Sequence, residues 1–352
     1  MNVTAIIVNY FSLGFLPQLL DVLDAEGCIK EIIVADNSHE EGLERLVNRF
    51  NKVRALTMPG NVGFGCAVNT AAQHCTTDWF LVINPDTLPE KGCIEKLIQG
   101  AEKADAAIAG PRFYWDDQQT FRLPPALGYS WWVHAGMESA GRNALDSTLF
   151  SFYWNLRFDR FWKQEVPFFE PFLVGACMLI KNDGRFFKKG KIFDESYFLY
   201  YEDTDLCVKV LNKKLNIVCV PDATVIHYWD QTPSSEKPRR MQESHEIFRK
   251  KNVRFQYPAI DDSTWKPDDI TDLGLLREPP VFRFNEQNDD RQNYIEIGLN
   301  PFFVPFSQAD VKGETFKFPQ AVWERMAPGT YYTRLREPEM NASLKLWKWK
   351  KG

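Results

Sequence analysis

Apolar and polar positions along the first hundred residues fall into blocks that predict strands and helices in turn. Val3 to Val8 reads as a buried strand, Phe15, Leu19, Leu20 and Leu23 recur at helical spacing, and Ile32 to Ala35 reads as a second strand. This is a βαβ opening. A further helix is expected from Ser38, whose hydroxyl can cap free amides while Glu41 reaches back, with Leu43, Leu46, Val47 and Phe50 on one face. Strands over Val53 to Leu56 and Trp79 to Ile83 complete a pattern whose crossovers place polar strand ends along one edge of a mostly parallel sheet. Asp36 and Asn84 share that edge. Later, Leu206, Cys207, Val210 and Leu211 set the core face of a helix that opens at Glu202-Asp203.

The texture then changes. A segment over about 125–172 is rich in aromatic residues, among them Tyr129, Trp131, Trp132, Phe150, Phe152, Trp154, Phe158, Phe161 and Trp162. Large rings contribute most to burial wherever they sit, so core or dimer packing is read ahead of direct acceptor binding. Arg157, Arg160 and Lys163 leave contact with acidic lipid open. Residues 258–280 are rich in proline and acid, including Asp261-Asp262 and Asp268-Asp269, and read as a linker. Beyond it, Val281 to Phe284, Tyr294 to Ile297, Thr315 to Phe318, Tyr331 to Leu335 and Leu344 to Trp349 read as short strands of a sandwich-like unit. The expected layout is an α/β domain over 1–257, a linker over 258–280 and a β-rich domain over 281–352.

Composition narrows the function classes. With 44% hydrophobic residues in 352, the chain can bury a large core, and no apolar run approaches the roughly 20 residues that span a bilayer. The start passes into a strand without a basic leader, so a cytoplasmic location is expected, with peripheral contact to the inner membrane face left open. A net charge of -5 gives no support for a nucleic-acid partner. The seven cysteines are scattered without a CxxC pair, which suggests reduced core residues, and the histidines lack the spacing of a multi-histidine zinc site.

Three short stretches carry the candidate chemistry. Asn84-Pro85-Asp86 closes an apolar strand, where proline stops pairing and one carboxylate can hold Mg2+ or Mn2+ if phosphates and waters complete the shell. Glu202-Asp203 opens a helix whose dipole favours ionised carboxylates, and an ionised Asp203 can take a proton from an acceptor hydroxyl, with Glu202 in support. His227, after Ala223-Thr224-Val225-Ile226, offers an imidazole ligand. Each has a plainer reading: a polar turn, helix-start electrostatics, a structural histidine. Asp36-Asn37-Ser38 can meet a nucleoside or merely cap a helix. Asn61 to Asn69 puts Gly63 and Gly65 before a small-residue helix, which permits close backbone approach to a ligand or is a tight turn with Asn69 buried.

The order of these pieces resembles glycosyltransferase family 2, notably its rhamnosyltransferase-like members. The likeness runs through Ile7-Val8-Asn9-Tyr10, Val34-Ala35-Asp36-Asn37-Ser38, Asn61 to Asn69, Asn84-Pro85-Asp86-Thr87, Thr120 to Pro124, Gly175 to Ile180 and Phe193 to Cys207, covering roughly the first 250 residues. The resemblance implies a GT-A type nucleotide-sugar-binding domain, inverting metal-dependent transfer, and a nucleoside diphosphate sugar donor of the dTDP-rhamnose or UDP-hexose kind. It implies Asn9, Asp36, Asn61, Gly63, Asn69, Asn84 and Asp86 at the donor, Asp86 and His227 on the metal, and Asp203 as base. The acceptor would be a glycan or lipid-linked saccharide growing toward the cell surface. Tyr228-Trp229-Asp230-Gln231 departs from the small Gly/Ser-containing stretch that often follows the histidine. Two other classes compete: a non-catalytic glycan-binding or scaffold protein that retains the fold, and a sugar nucleotidyltransferase. Asn9-Tyr10-Phe11 argues against the latter, which expects a Gly-rich segment with a basic residue after the first strand.

Overall fold

Four parallel strands, three of them buried along most of their length and the one at the edge only half-buried, are the origin of the sheet. In the computed structural model, which describes residues 1–128, 133, 136, 139–140, 144–184, 190–228, 236–252, 269–284, 293–337 and 342–352, these are β1 (Val3–Asn9), β2 (Ile29–Asp36), β3 (Val53–Thr57) and β4 (Trp79–Ile83). They lie in the order β3-β2-β1-β4, all parallel, with Asn9 opposite Asp36 and Asp36 opposite Thr57. Helices Leu16–Ala25 and Phe64–Ala72 and the short Leu43–Val47 make the crossovers. Leu16, Leu19, Leu20 and Leu23 are buried, as their spacing predicts.

The helix expected from Ser38 begins instead at Leu43, after Gly42 at φ +98°. Ser38 does not cap it. Its hydroxyl donates to Asp36 Oδ1 and accepts from the Phe11 amide, and His39 sits at φ +53°. The local turn uses up the hydroxyl that would have capped a helix starting there.

The sheet continues past β4 through antiparallel pairings. Chain order supplies β5 (Thr87–Pro89), β6 (Ala106–Tyr114), β7 (Phe168–Phe169), β8 (Cys177–Lys181) and β9 (Asn216–His227), and the sheet runs β3-β2-β1-β4-β8-β6-β9-β5 with β7 also on β9. β8 is antiparallel to β4 and β6 to β8, and β5 is antiparallel to β9 with Thr87 opposite His227. Helix Cys93–Lys103 packs on β9, where the Gly100 position leaves room only for hydrogen: a Cβ there would lie 2.5 Å from a Val220 methyl. Helices Glu202–Asn212 and Lys237–Asn252 complete this unit, formed by Met1–Arg112 with Gln164–Arg254.

A second compact unit joins Phe113–Lys163 to Phe255–Gly352. The aromatic stretch expected within the 1–257 domain thus contributes helix Ala144–Lys163 to the later unit; Tyr129, Trp131 and Trp132 lie outside the described residues. The strands are β10 (Thr271–Leu276), β11 (Val281–Arg283), β12 (Asn293–Gly298), β13 (Phe306–Val311), β14 (Thr315–Lys317), β15 (Gly329–Glu337) and β16 (Ala342–Lys351). Five form a sheet in the order β10-β16-β15-β12-β13, and β11 pairs with β14 as a ribbon. β10 falls inside the expected linker, whose first part, with both Asp pairs' leading residues, lies outside the described residues. Its exposed edge position removes the alternation that would have signalled it.

Side chains alternate between the two faces of that sheet. On one, Trp347 meets Phe282, and Trp349 stacks on Tyr331 and Trp323 while its indole donates to Thr333. On the other, Phe150, Trp154 and Phe158 of helix Ala144–Lys163 share a core with Phe303, Val304 and Phe306. A buried polar network crosses the same face. Glu296 accepts from Arg334 and Arg336 at 2.5 Å each and from Gln308 at 3.1 Å. Arg334 also donates to Ser151 and Asn155, and Arg336 to Asp159.

Candidate active site

At the carboxyl ends of β1 and β2 the polar residues first bind one another. Asn9 donates to Asp36 Oδ1 at 3.1 Å, and the same oxygen accepts from the amides of Ser38 and His39, also at 3.1 Å. Asn9 Oδ1 accepts from the Ser12 amide and hydroxyl. Both residues are buried and shape the two loops; neither lines the neighbouring cavity. Asn37 does line it, and its side-chain amide donates to the Gly63 carbonyl at 3.1 Å, fastening this edge to the next turn.

That turn is built on Asn61 and Gly63. Asn61 Oδ1 accepts from the Gly63 amide at 3.2 Å. Gly63 has φ +87° and ψ 169°, a region open to glycine and strained for other residues. Space forbids a side chain as well, since a Cβ would lie 2.6 Å from the Phe198 carbonyl oxygen, which accepts from the Phe64 amide at 2.9 Å. Asn69, by contrast, is fully occupied by the chain itself. It donates to Phe193 O and Glu195 Oε1 and accepts from the amides of Ile192 and Phe193. It clamps that segment and has no group turned to the cavity.

The opposite wall comes from Asn84, Pro85, Asp86 and His227. The Asn84 amide donates to Ala176 O, and Asn84 O accepts from the Thr87 hydroxyl at 2.6 Å, so the turn is held on both sides. The β5/β9 pairing continues one step further, with the Tyr228 amide donating to Asp86 O at 3.0 Å. Asp86 Oδ2 and His227 Nε2 consequently face each other at 3.6 Å, the side chains 15% and 12% exposed. Two donors at about 2.0–2.2 Å from one divalent ion sit roughly 3.0–3.7 Å apart, so the pair fits a shared cation. Burial alone would raise the Asp86 carboxyl, but the charge and hydrogen bond of His227, its own backbone and Lys237 hold it below its ordinary value.

Between these walls lies a cavity of about 300 Å³. Asn61, Gly63, Asn84, Asp86 and His227 border it, as do Tyr10, Ser12, Asn37, Phe198, Tyr200, Lys237 and Arg240. The Arg240 guanidinium stands 4.1 Å from the centre of the Phe198 ring and donates to Glu236. The first few of these additional residues neighbour the Asn9 and Asp36 motifs, while the basic pair belongs to the start of helix Lys237–Asn252. Trp229 to Gln231 lie outside the described residues.

Glu202 and Asp203 sit beyond the cavity lining, two and three residues after Tyr200. Tyr200 and Tyr201 take φ +71° and +67°, turning the chain sharply into helix Glu202–Asn212. Asp203 Oδ2 accepts from the Gly175 amide at 2.9 Å and Oδ1 from the Thr204 amide at 2.6 Å. Burial raises its carboxyl above the ordinary value, opposed by those hydrogen bonds. Glu202 is buried, its Oε2 is without a hydrogen-bond partner, and burial followed by the adjacent Asp203 pushes it up to about 8.

The chain is similar to known proteins. The chain is 29% identical over 214 residues to an N-acetylglucosaminyl-diphospho-decaprenol L-rhamnosyltransferase of Mycobacterium tuberculosis (strain CDC 1551 / Oshkosh), across 56% of this chain and 66% of that protein. It is 22% identical over 232 residues to the rhamnosyltransferase WbbL of Escherichia coli (strain K12), across 63% of this chain and 82% of the other. Among solved structures, the mannosyltransferase PcManGT from Pyrobaculum calidifontis in complex with GDP-Man and Mn2+ has a TM-score of 0.49 at 14% identity, over 73% of this chain and 66% of that one. Among the described residues no helix is long and apolar enough to cross a membrane. The pattern of Glycosyl transferase family 2 matches residues 4–183, just over half of the chain. That stretch holds the four parallel strands, the Gly63 turn and Asn84-Pro85-Asp86 in a GT-A type α/β arrangement, and the chain belongs to Glycosyl transferase family 2.

Proposed function

We propose that this protein transfers a sugar, rhamnose or a hexose, from a nucleoside diphosphate carrier to a hydroxyl of a lipid-linked saccharide destined for the cell surface, with inversion. The observation that carries this reading is the Asp86–His227 pair at 3.6 Å on the wall of a cavity bordered by Asn61, Gly63 and Asn84. A carboxylate and an imidazole in that relation are suited to Mg2+ or Mn2+. When bound, the ion supplies positive charge for the diphosphate that departs. The chain's own residues do the rest. The Gly63 turn lets backbone approach the donor, Lys237 and Arg240 add positive charge, and Tyr10 offers a ring to a base or sugar. Asp203 receives the acceptor proton and Glu202 supports it from within the helix start. The lipid-linked acceptor follows the name of the Mycobacterium relative, which acts on a diphospho-decaprenol saccharide.

Calorimetry with UDP, dTDP, GDP and their sugars, with Mn2+ and then with chelator, tests the donor half. Selective binding that chelator removes supports the reading; no binding of any nucleotide overturns it. One observation favours a second reading, a glycan-binding protein with a retained transferase fold: Asp203 is outside the cavity lining and already accepts two amides. Transfer by the wild type that is lost in Asp203→Asn, with donor binding intact, decides against that alternative.

A further inference from the structure

Helix Ala144–Lys163 has two apolar faces, and among the described residues only one of them has a use within the second unit. Its inward face is committed, with Phe150, Trp154 and Phe158 in the core and Ser151, Asn155 and Asp159 bonded to Arg334 and Arg336. Along its outer face Leu145, Leu149, Phe152 and Leu156 stand 68%, 58%, 47% and 53% exposed. We infer that this stripe is where two copies of the chain pair, their helices antiparallel about a two-fold axis.

The spacing is the first argument. The four residues follow one another at intervals of four, three and four, the a/d alternation by which one helix packs its knobs into another. A helix that lies on a bilayer shows a broad apolar face; this one shows a seam a single residue wide. The sequence of intervals also reads the same in both directions. When the helix meets itself antiparallel, Leu145 faces Leu156 of the second copy and Leu149 faces Phe152 of the second copy, so every apolar side chain finds an apolar partner. That is the self-complementarity a two-fold interface requires.

Charge is the second argument. Asp146 flanks the stripe at its amino end, and Arg160 and Lys163 follow it at the carboxyl end. Antiparallel pairing sets Asp146 level with position 155 of the second copy, about 7.5 Å along the axis from Arg160 and within reach of its long side chain, whereas parallel pairing sets acid by acid and base by base. An apolar patch of this kind on a helix locked from behind marks an interaction site, and its chemistry selects a second copy.

Sedimentation of the full chain from low to high micromolar concentration tests the inference. The wild type is expected to form a dimer that dissociates on dilution. Leu149→Glu and Leu156→Glu, at exposed positions, should keep the circular dichroism and thermal unfolding of the wild type while weakening the dimer at least about tenfold. Asp146→Arg and Arg160→Asp should each weaken it, and the two together should restore it. A wild type that stays monomeric throughout overturns the inference, including the case in which it binds phosphatidylglycerol vesicles through Leu149. A dimer indifferent to Leu149→Glu overturns it as well, and a double charge variant no tighter than the singles overturns the antiparallel arrangement.

Discussion

Asp86 and His227 stand 3.6 Å apart because backbone pairing, not side-chain attraction, puts them there. Thr87 is opposite His227 in the β5/β9 ladder, and the Tyr228 amide closes on Asp86 O. A pair set by a sheet register is preorganised for the ion proposed above, and it does not need that ion to assemble.

Removing either proposed ligand should therefore weaken metal-dependent nucleotide binding while leaving the fold intact. Loss of groups that merely orient metal ligands already costs 10–100-fold, so Asp86→Ala and His227→Ala should each weaken nucleoside diphosphate binding in Mn2+ by about 100-fold or more. Calorimetry with and without chelator measures it. Chelator should reduce the wild type to the level of the variants and leave the variants unchanged.

Gly63→Ala probes the other wall. The backbone conformation at φ +87° and the 2.6 Å approach to Phe198 O act together, and the second cannot relax without moving a main-chain hydrogen bond. A loss of about 2–3 kcal/mol is expected from strain of this type, read by urea unfolding. Gly27→Ala is the control for an open glycine site, since no atom comes within 4 Å of a Cβ there and its φ is not positive.

What the sequence could convey followed the range over which each signal acts. β1, β2 and β4 are legible because burial on both faces leaves continuous apolar runs such as Phe80 to Ile83. Gly63 was legible because only glycine meets its conformation. Asn69 was not, since an amide reads the same whether it turns to a ligand or, as here, to backbone 123 and 124 residues away. β10 carries no strand signal, because its mostly exposed residues show no alternation. In helix Ala144–Lys163, apolar residues on both faces blur the period that would have separated inward from outward. Asp86 and His227 came together through the family resemblance, because their contact depends on pairing between distant strands.

Glu296 should be the least replaceable side chain of the second unit. It is fully buried and answers two buried guanidinium groups, so Glu296→Gln leaves Arg334 and Arg336 without their shared carboxylate. Breaking a buried ion pair on one side costs about 3–5 kcal/mol. Urea unfolding followed by the fluorescence of Trp347 and Trp349 should show the loss, and Arg334→Met combined with Glu296→Gln should cost less than the two separate losses added.

Glu202 gives the pH dependence of stability a definite sign. Burial and then Asp203 push its carboxyl from 4.5 up to about 8 in the folded chain. A folded acid with a raised value holds its proton where the unfolded chain has released it. Its contribution is therefore fully present below about pH 4.5 and is lost as pH rises toward 8. Glu202→Gln keeps the shape and cannot ionise. Relative to wild type, the variant should gain stability across that window, by on the order of a few kcal/mol between its ends. Urea unfolding of both proteins at pH 5 and pH 8 measures the difference, in which other titrating groups largely cancel. A constant difference would mean that the carboxylate is relieved in the folded state, through water or a shift of Asp203, and that helix Glu202–Asn212 opens with two ionised acids.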